Sequence, residues 1–232
     1  MSKSGDAPLT AGGVESAVDA LRRGQPVCVH DAADREGETD IIYPAGAVTP
    51  GAVAHMRNDA GGLICLALSA DVADAFGLPY VREILDHPAA HDDELAYGDR
   101  SSFSLTVNHR DTRTGITDED RSLTIQALAD AAADPGGTDF ATPFHAPGHV
   151  HLLRAAPGLL ADRQGHTEMA VALAVAAGLP PAAVVCEMLD DETGGALPPA
   201  AARAYADRHD IPYVEGASIV ERFESQCLRT RG

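Results

Sequence analysis

Short apolar runs alternate along the chain with polar segments rich in glycine, proline and acids, and most runs carry either a strand or a helix pattern. Residues 14–23 read as a helix closed by Gly24, and residues 26–30 and 39–43 as strands. Pro50 opens a helix that reaches about residue 60, a strand follows over 62–68, and a short helix over 71–76. Residues 80–100 are irregular, with clustered Asp, His and Gly, and read as a long loop; in it His87, His91, Asp92 and Asp93 are metal-capable types, for which a solvated loop is the expectation. Residues 101–107 alternate as a strand. Thr117 starts a helix with Asp118, Glu119 and Asp120 in its first turn and an apolar face at Leu123, Ile125 and Leu128, ended by the run from Asp134 to Gly137. A strand is expected over 148–154, and an almost wholly apolar, alanine-rich helix over 169–177, stopped by Gly178, reads as buried. A strand over 182–188, a turn over 190–195 and a last major helix over 198–208 complete the pattern. With no internal repeat or low-complexity linker, this alternation predicts one layered α/β domain over residues 1–232.

Composition narrows the classes. No apolar run is long enough to span a membrane, and residues 1–8 lack the apolar core of a signal peptide. Of the four cysteines, Cys28, Cys65 and Cys186 lie in strand-like apolar runs, and none has metal-ligand spacing; reduced, buried thiols in a cytoplasmic protein are the expectation. Acids outnumber bases 35 to 17, and Lys3 is the only lysine. With no basic stripe to neutralise phosphates, nucleic-acid binding is disfavoured. Such a surface suits a high-salt cytoplasm, where screening relieves self-repulsion, and predicts a halophilic archaeal source, the alternative being an acidic mesophilic protein from a GC-rich genome.

Chemistry concentrates in two clusters. In the first, Asp34-Arg35-Glu36-Gly37-Glu38-Thr39-Asp40, four acids and one arginine follow a buried strand. Carboxylates that close repel, so they call for a metal ion, shared protons or a cationic substrate; a solvated turn is the structural alternative. In the second, Arg163-Gln164-Gly165-His166-Thr167-Glu168, Gly165 to Thr167 stand at the start of the buried helix. Free N–H groups and the helix dipole favour an anion there, Arg163 and Thr167 add phosphate-compatible donors, and His166 is a candidate metal ligand; a plainly capped helix is the alternative. His149 at the start of one strand and Glu187 in an otherwise apolar one add candidate acid–base groups.

These segments occur together with Gly62-Leu63-Ile64-Cys65, Thr114-Gly115-Ile116, Asp120-Arg121, Thr124-Ile125, Gly148-His149 and Cys186-Glu187, in an order that resembles the 3,4-dihydroxy-2-butanone 4-phosphate synthase family of riboflavin biosynthesis over roughly residues 15 to 190. Thr39 stands where bacterial members usually have glycine, so the likeness is to the archaeal, single-domain form, and the chain is too short for the GTP cyclohydrolase II domain that bacterial chains often carry. Residues 86–100 match the bacterial pattern poorly. The resemblance implies a mixed twisted β-sheet flanked by helices, a homodimer with shared active sites, and conversion of D-ribulose 5-phosphate to L-3,4-dihydroxy-2-butanone 4-phosphate and formate with Mg²⁺ or Mn²⁺, two ions to a site. It implies that Glu36 and His166 hold metal, that Arg35, Glu36, Asp40, Glu187 and the run Arg163, Gln164, Gly165, His166 and Thr167 bind substrate, and that His149, Glu187 and Glu38 carry protons. By the same resemblance Cys65 is a candidate to face substrate, although packing is its expected role. Two other classes stay open. A nucleotide-binding enzyme such as a threonylcarbamoyl-adenylate synthase calls for a basic surface for RNA, and a non-catalytic acidic metal-binding protein has no use for Arg163 and Thr167 at a helix start.

Overall fold

The computed structural model describes residues 12–32, 35–90 and 99–230. The elements run α1 (Gly12–Arg22), β1 (Val27–His30), β2 (Thr39–Pro44), α2 (Pro50–His55), β3 (Cys65–Leu68), α3 (Ala70–Ala75), α4 (Val81–Ile84), β4 (Phe103–His109) and α5 (Asp118–Ala133). They continue with β5 (Phe144–Arg154), α6 (His166–Ala176), β6 (Ala182–Glu187), α7 (Pro199–Arg208), β7 (Tyr213–Glu215) and α8 (Gly216–Thr230). The strands form one mixed sheet in the order β4-β5-β3-β6-β2-β1-β7, parallel only at β3–β5 and β1–β7.

Strand periodicity sorts the side chains into two cores. Cys28, Ile41, Tyr43, Leu66, Val184 and Cys186 face one way and pack against α2, α5 and α7. Val27, Val29, Ile42, Cys65, Ala183 and Val185 face the other and pack against α1, α6 and α8. The same alternation turns Asp40 and Glu187 toward the α6 side, as they stand two residues from Ile42 and Val185. α6 is buried at every residue from His166 to Ala174. It is apolar all round because it lies between the sheet and α1, as its sequence predicts. Gly178, at φ 73°, ends the helix in the left-handed conformation that residues with a Cβ resist.

Several boundaries differ from the sequence reading. The helix begun by Pro50 changes after His55 into a π-helical turn over Met56–Ala60, closed by Gly61 at φ 84°. The strand expected from residue 62 begins only at Cys65, because Gly62 and Leu63 bond instead to the end of β6. The long loop contains α4 and a 3-10 turn at Pro88–Ala90; His87 Nδ1 accepts the Ala89 N–H at 3.1 Å and so helps to shape that turn. His91, Asp92 and Asp93 lie outside the described residues. β5 starts at Phe144 rather than residue 148, since the β4–β5 ladder steps over Pro147 by a register break between Val107 and Asn108. The helix at 199–208 is not the last: β7 and α8 follow, and Ile219 of α8 is fully buried against α1 and α6. Cys28, Cys65 and Cys186 are free and buried, and burial pushes the Cys28 thiol up to about 12, in keeping with the packing role expected of them. Among the described residues no helix is long and apolar enough to cross a membrane.

Leu173 is fully buried in the middle of α6. Leu173→Ala is expected to cost about 2–5 kcal/mol, as other buried leucine truncations do, read as a lowered urea midpoint with unchanged slope. A loss below about 1 kcal/mol would mean that α6 is not close-packed between the sheet and α1.

Candidate active site

The site grows from three chain segments that the sheet brings together. β1 and β2 form a hairpin whose connection is folded by Asp31: its carboxylate accepts the Glu38 N–H at 3.0 Å and the Glu36 N–H at 3.3 Å. Gly37 supplies the positive φ, 67°, that the turn needs. Asp40, the second residue of β2, pairs across the antiparallel ladder with Glu187, the last residue of β6. Two carboxylates thus start from directly opposed positions on one sheet face. Glu187 is fixed from behind, because its Oε2 accepts the Leu63 N–H at 2.8 Å and its main-chain carbonyl accepts the Gly62 N–H at 3.0 Å. Gly62 has to be glycine here: a Cβ would lie 2.5 Å from Glu187 Oε2.

The first turn of α6 completes the group. His166 is buried, with Nε2 3.2 Å from the Val29 carbonyl. A proton on Nε2 donated to that carbonyl leaves Nδ1 facing Glu36 Oε2 at 3.3 Å and Asp40 Oδ1 at 3.7 Å. This is how a metal-binding imidazole is usually held, with one nitrogen fixed by a backbone acceptor and the other turned to the ion. Asp31, Glu36 and His166 each offer a ligand atom within 4.8 Å of the others, and Asp40 Oδ1 is buried without a hydrogen-bond partner. The oxygen-rich donor set with one imidazole fits a hard divalent cation.

Electrostatics points the same way. Burial, and then the charges of Glu187, Glu36 and Glu38, push the Asp40 carboxyl up to about 8 despite the opposing pull of His166. Burial and the neighbouring acids Glu36 and Glu187 also raise Glu38. Burial works against protonation of His166, but Asp40, the hydrogen bond to Glu36 and the charge of Asp31 outweigh it and raise the imidazole to about 10. Asp40 and His166 are thus both pushed toward keeping a proton, as expected where crowded carboxylates need their counter-charge from a proton or a cation.

Arg163 stands beside this group. It donates to Glu168 Oε2 and to Asp99 Oδ2, both at 2.7 Å, and Glu168 is itself anchored by the Ala156 N–H at 2.9 Å. Arg35 donates to the same Asp99 oxygen at 2.6 Å, so one carboxylate bridges two guanidinium groups. Gly165 opens α6 without a side-chain cap; a Cβ there would lie 2.4 Å from Arg163 Nη1 and 3.2 Å from Arg35 Nη1. Glycine therefore lets both arginines lie across a helix start whose first N–H groups have no helical acceptor.

Glu36, Glu38, Asp40, Arg163, His166, Thr167 and Glu187 line one cleft of about 310 Å³, together with Ser101, Ser102, Phe103, Leu153 and Val185. Gly165 is buried at the helix start and Gln164 is exposed outside the lining. His149 is also exposed and outside the lining, on β5, two strands from β6 across the sheet. Asp34 lies outside the described residues. Sequence reasoning missed Asp31, whose signal was an acid directly after β1, and Asp99, which stands within residues 86–100, where the match to the bacterial pattern is poor.

The family model described as 3,4-dihydroxy-2-butanone 4-phosphate synthase matches residues 15–222. The enzyme of that name from Archaeoglobus fulgidus is 47% identical over 221 residues, covering 90% of this chain and 93% of the relative. Its counterpart from Methanothermobacter thermautotrophicus is 45% identical over 220 residues, covering 90% and 95%. A solved 3,4-dihydroxy-2-butanone 4-phosphate synthase in complex with two magnesium ions superimposes with a TM-score of 0.79 at 30% identity, covering 92% of this chain and 97% of that one. A match along most of its length, to relatives of the same size, places this chain in the 3,4-dihydroxy-2-butanone 4-phosphate synthase family.

Proposed function

We propose that this protein converts D-ribulose 5-phosphate to L-3,4-dihydroxy-2-butanone 4-phosphate and formate, as a metal-dependent lyase of riboflavin biosynthesis. The observation that carries the reading is that a cation-fitting group and an arginine-covered helix start open into the same cleft. A sugar phosphate presents vicinal oxygens at one end and a dianion at the other, so it needs both. Of the two other classes, RNA-linked nucleotide chemistry lacks its basic surface, and a simple metal-binding protein leaves the arginines without a purpose.

In this reading Glu36 and His166 hold Mg²⁺ or Mn²⁺, with Asp31 close enough to join them and two ions to a site. An ion held there would supply neutralisation of the negative charge that develops on the sugar oxygens as a proton leaves. Arg35 and Asp40 contact the sugar, and the stretch from Arg163 to Thr167, including Gln164 and Gly165, receives the phosphate. Glu187, held by the Leu63 N–H, and Glu38, whose carboxyl is raised by burial, are placed to give and take protons. His149 is the third proton carrier. It stands on an exposed stretch of β5, and a homodimer with shared sites is the arrangement that delivers it to a cleft. The acidic composition supports a cytoplasm rich in salt.

The direct check is formate release from ribulose 5-phosphate. Purified protein with Mg²⁺ is expected to turn over, and EDTA to abolish turnover. Full activity in metal-free protein removes the metal from the mechanism, and no activity at any KCl concentration from about 0.1 M to about 3 M removes the reaction. Activity that climbs over that range, as the Debye length falls from about 10 Å to below 3 Å, supports the salt-adapted reading.

The two histidines separate by what they lose. His166→Ala is expected to lose Mn²⁺ affinity together with rate. His149→Ala is expected to keep Mn²⁺ and sugar-phosphate binding by calorimetry while kcat falls about 100-fold or more. Loss of the ion from His149→Ala with its retention in His166→Ala would reverse the two roles.

A further inference from the structure

We infer that Asn108 is a positioning residue for His149, fixing both the main chain that carries the imidazole and the direction of its ring. The inference deepens the proposed function, since it rests on His149 acting as a proton carrier.

The starting point is a defect in the sheet. Val107 pairs with Val150, and the next residue, Asn108, pairs with His145, so residues 146–149 stand outside the β4–β5 ladder. Gly148 lies so close to β4 that a Cβ would sit 2.0 Å from the Val107 carbonyl carbon. A stretch pressed against a strand without ladder bonds needs other acceptors for its N–H groups. Thr106 Oγ1 takes the Gly148 N–H at 3.2 Å, and Asn108 Oδ1 takes the His149 N–H at 2.8 Å. Because a main-chain N–H can only donate, the second bond settles which amide atom is the oxygen.

The amide nitrogen is then left for the ring, and Asn108 Nδ2 is 3.1 Å from His149 Nδ1. The oxygen lies farther from Nδ1, at 3.3 Å, and one of its two lone pairs already serves the main chain, so we assign the nearer NH₂ to the ring. An amide NH₂ only donates, so Nδ1 accepts, and the neutral imidazole carries its proton on Nε2, the nitrogen that Asn108 does not hold.

Asn108 is itself fixed. It is buried, although it orients an exposed residue. Gly115, at φ 84°, packs so tightly on its amide that a Cβ would lie 2.0 Å from Nδ2. The Gly115 N–H is in turn held at 2.8 Å by Asp120 Oδ2, in the first turn of α5. A chain of contacts thus runs from the start of α5 through Gly115 and Asn108 to the imidazole. A buried asparagine that spends both ends of its amide on one exposed histidine is more than a strand filler.

The test uses the full chain with Mg²⁺ and ribulose 5-phosphate. Asn108→Ala is expected to lower kcat about 10- to 100-fold with KM within about threefold, because the proton carrier is misplaced while the cleft is untouched. Asn108→Asp keeps the bond to the His149 N–H and offers Nδ1 an acceptor, so it holds the ring with reversed polarity and is expected to restore most of the rate. In ¹⁵N NMR the His149 ring is expected as the Nε2–H form in the unmodified protein, a mixture in Asn108→Ala, and the Nδ1–H form in Asn108→Asp. Unchanged kcat in Asn108→Ala overturns the inference, as does equal loss in both variants with a lowered melting temperature, which makes Asn108 purely structural. An Nδ1–H ring in the unmodified protein overturns it as well. If His149→Ala turns over normally, the role of His149 falls, and the ring spectra alone decide whether Asn108 positions it.

Discussion

The antiparallel pairing of β2 with β6 is the constraint on which the site depends. It opposes Asp40 to Glu187 on a sheet face otherwise given to aliphatic packing, and α6 closes over that face with His166 in its first turn. Two carboxyl groups are brought together against the cost of burying and crowding their charge, and the neighbouring core supplies the free energy that holds them there. Ile41, Ile42, Val184 and Val185 flank the pair and are almost fully buried. Strand alternation, a property of the backbone alone, is what lets adjacent residues serve core and chemistry in turn.

Support for the site comes from positions with no chemistry of their own. Gly62 admits Glu187, Gly165 admits two arginines, and Gly115 admits Asn108, each by the absence of a Cβ. Only one of these three, Gly115, has a positive φ, at 84°; the other two are demanded by the side chain lying against them. Removing such a glycine displaces its neighbour without removing a functional group.

Most of the layered fold was legible because its signals are local. The acids after β1, the apolar run of α6 and the lone acid of β6 are visible in the chain, and their convergence follows from strand register. The sequence was silent where the cause is tertiary. Asp31 looks like any acid after a strand until its carboxylate is seen to fold the turn that carries Glu36 and Glu38. Asp99 acquires meaning only from Arg35 and Arg163, each 64 residues away. The irregular stretch before His149 hid the true start of β5, because a strand interrupted by Pro147 breaks the alternation that identifies strands. α8 was missed although Ile219, Val220 and Phe223 have the spacing of one helix face, the face that packs beside α1 and α6.

The bridge that Asp99 makes between Arg35 and Arg163 has a bearing on selectivity. Two unsatisfied guanidinium groups at a cleft would adsorb chloride, carboxylates and stray phosphate alike. Here a visiting anion meets guanidinium groups already bridged by Asp99, with Arg163 also held by Glu168, and must displace one carboxylate from two partners at once. A monoanion offers nothing better than what is already in place. On the proposed function, a phosphate dianion, with more charge and more oxygens, is the anion that does. Affinity at such a position is the free energy of an exchange, and the resident carboxylate sets the threshold below which small anions fail to compete.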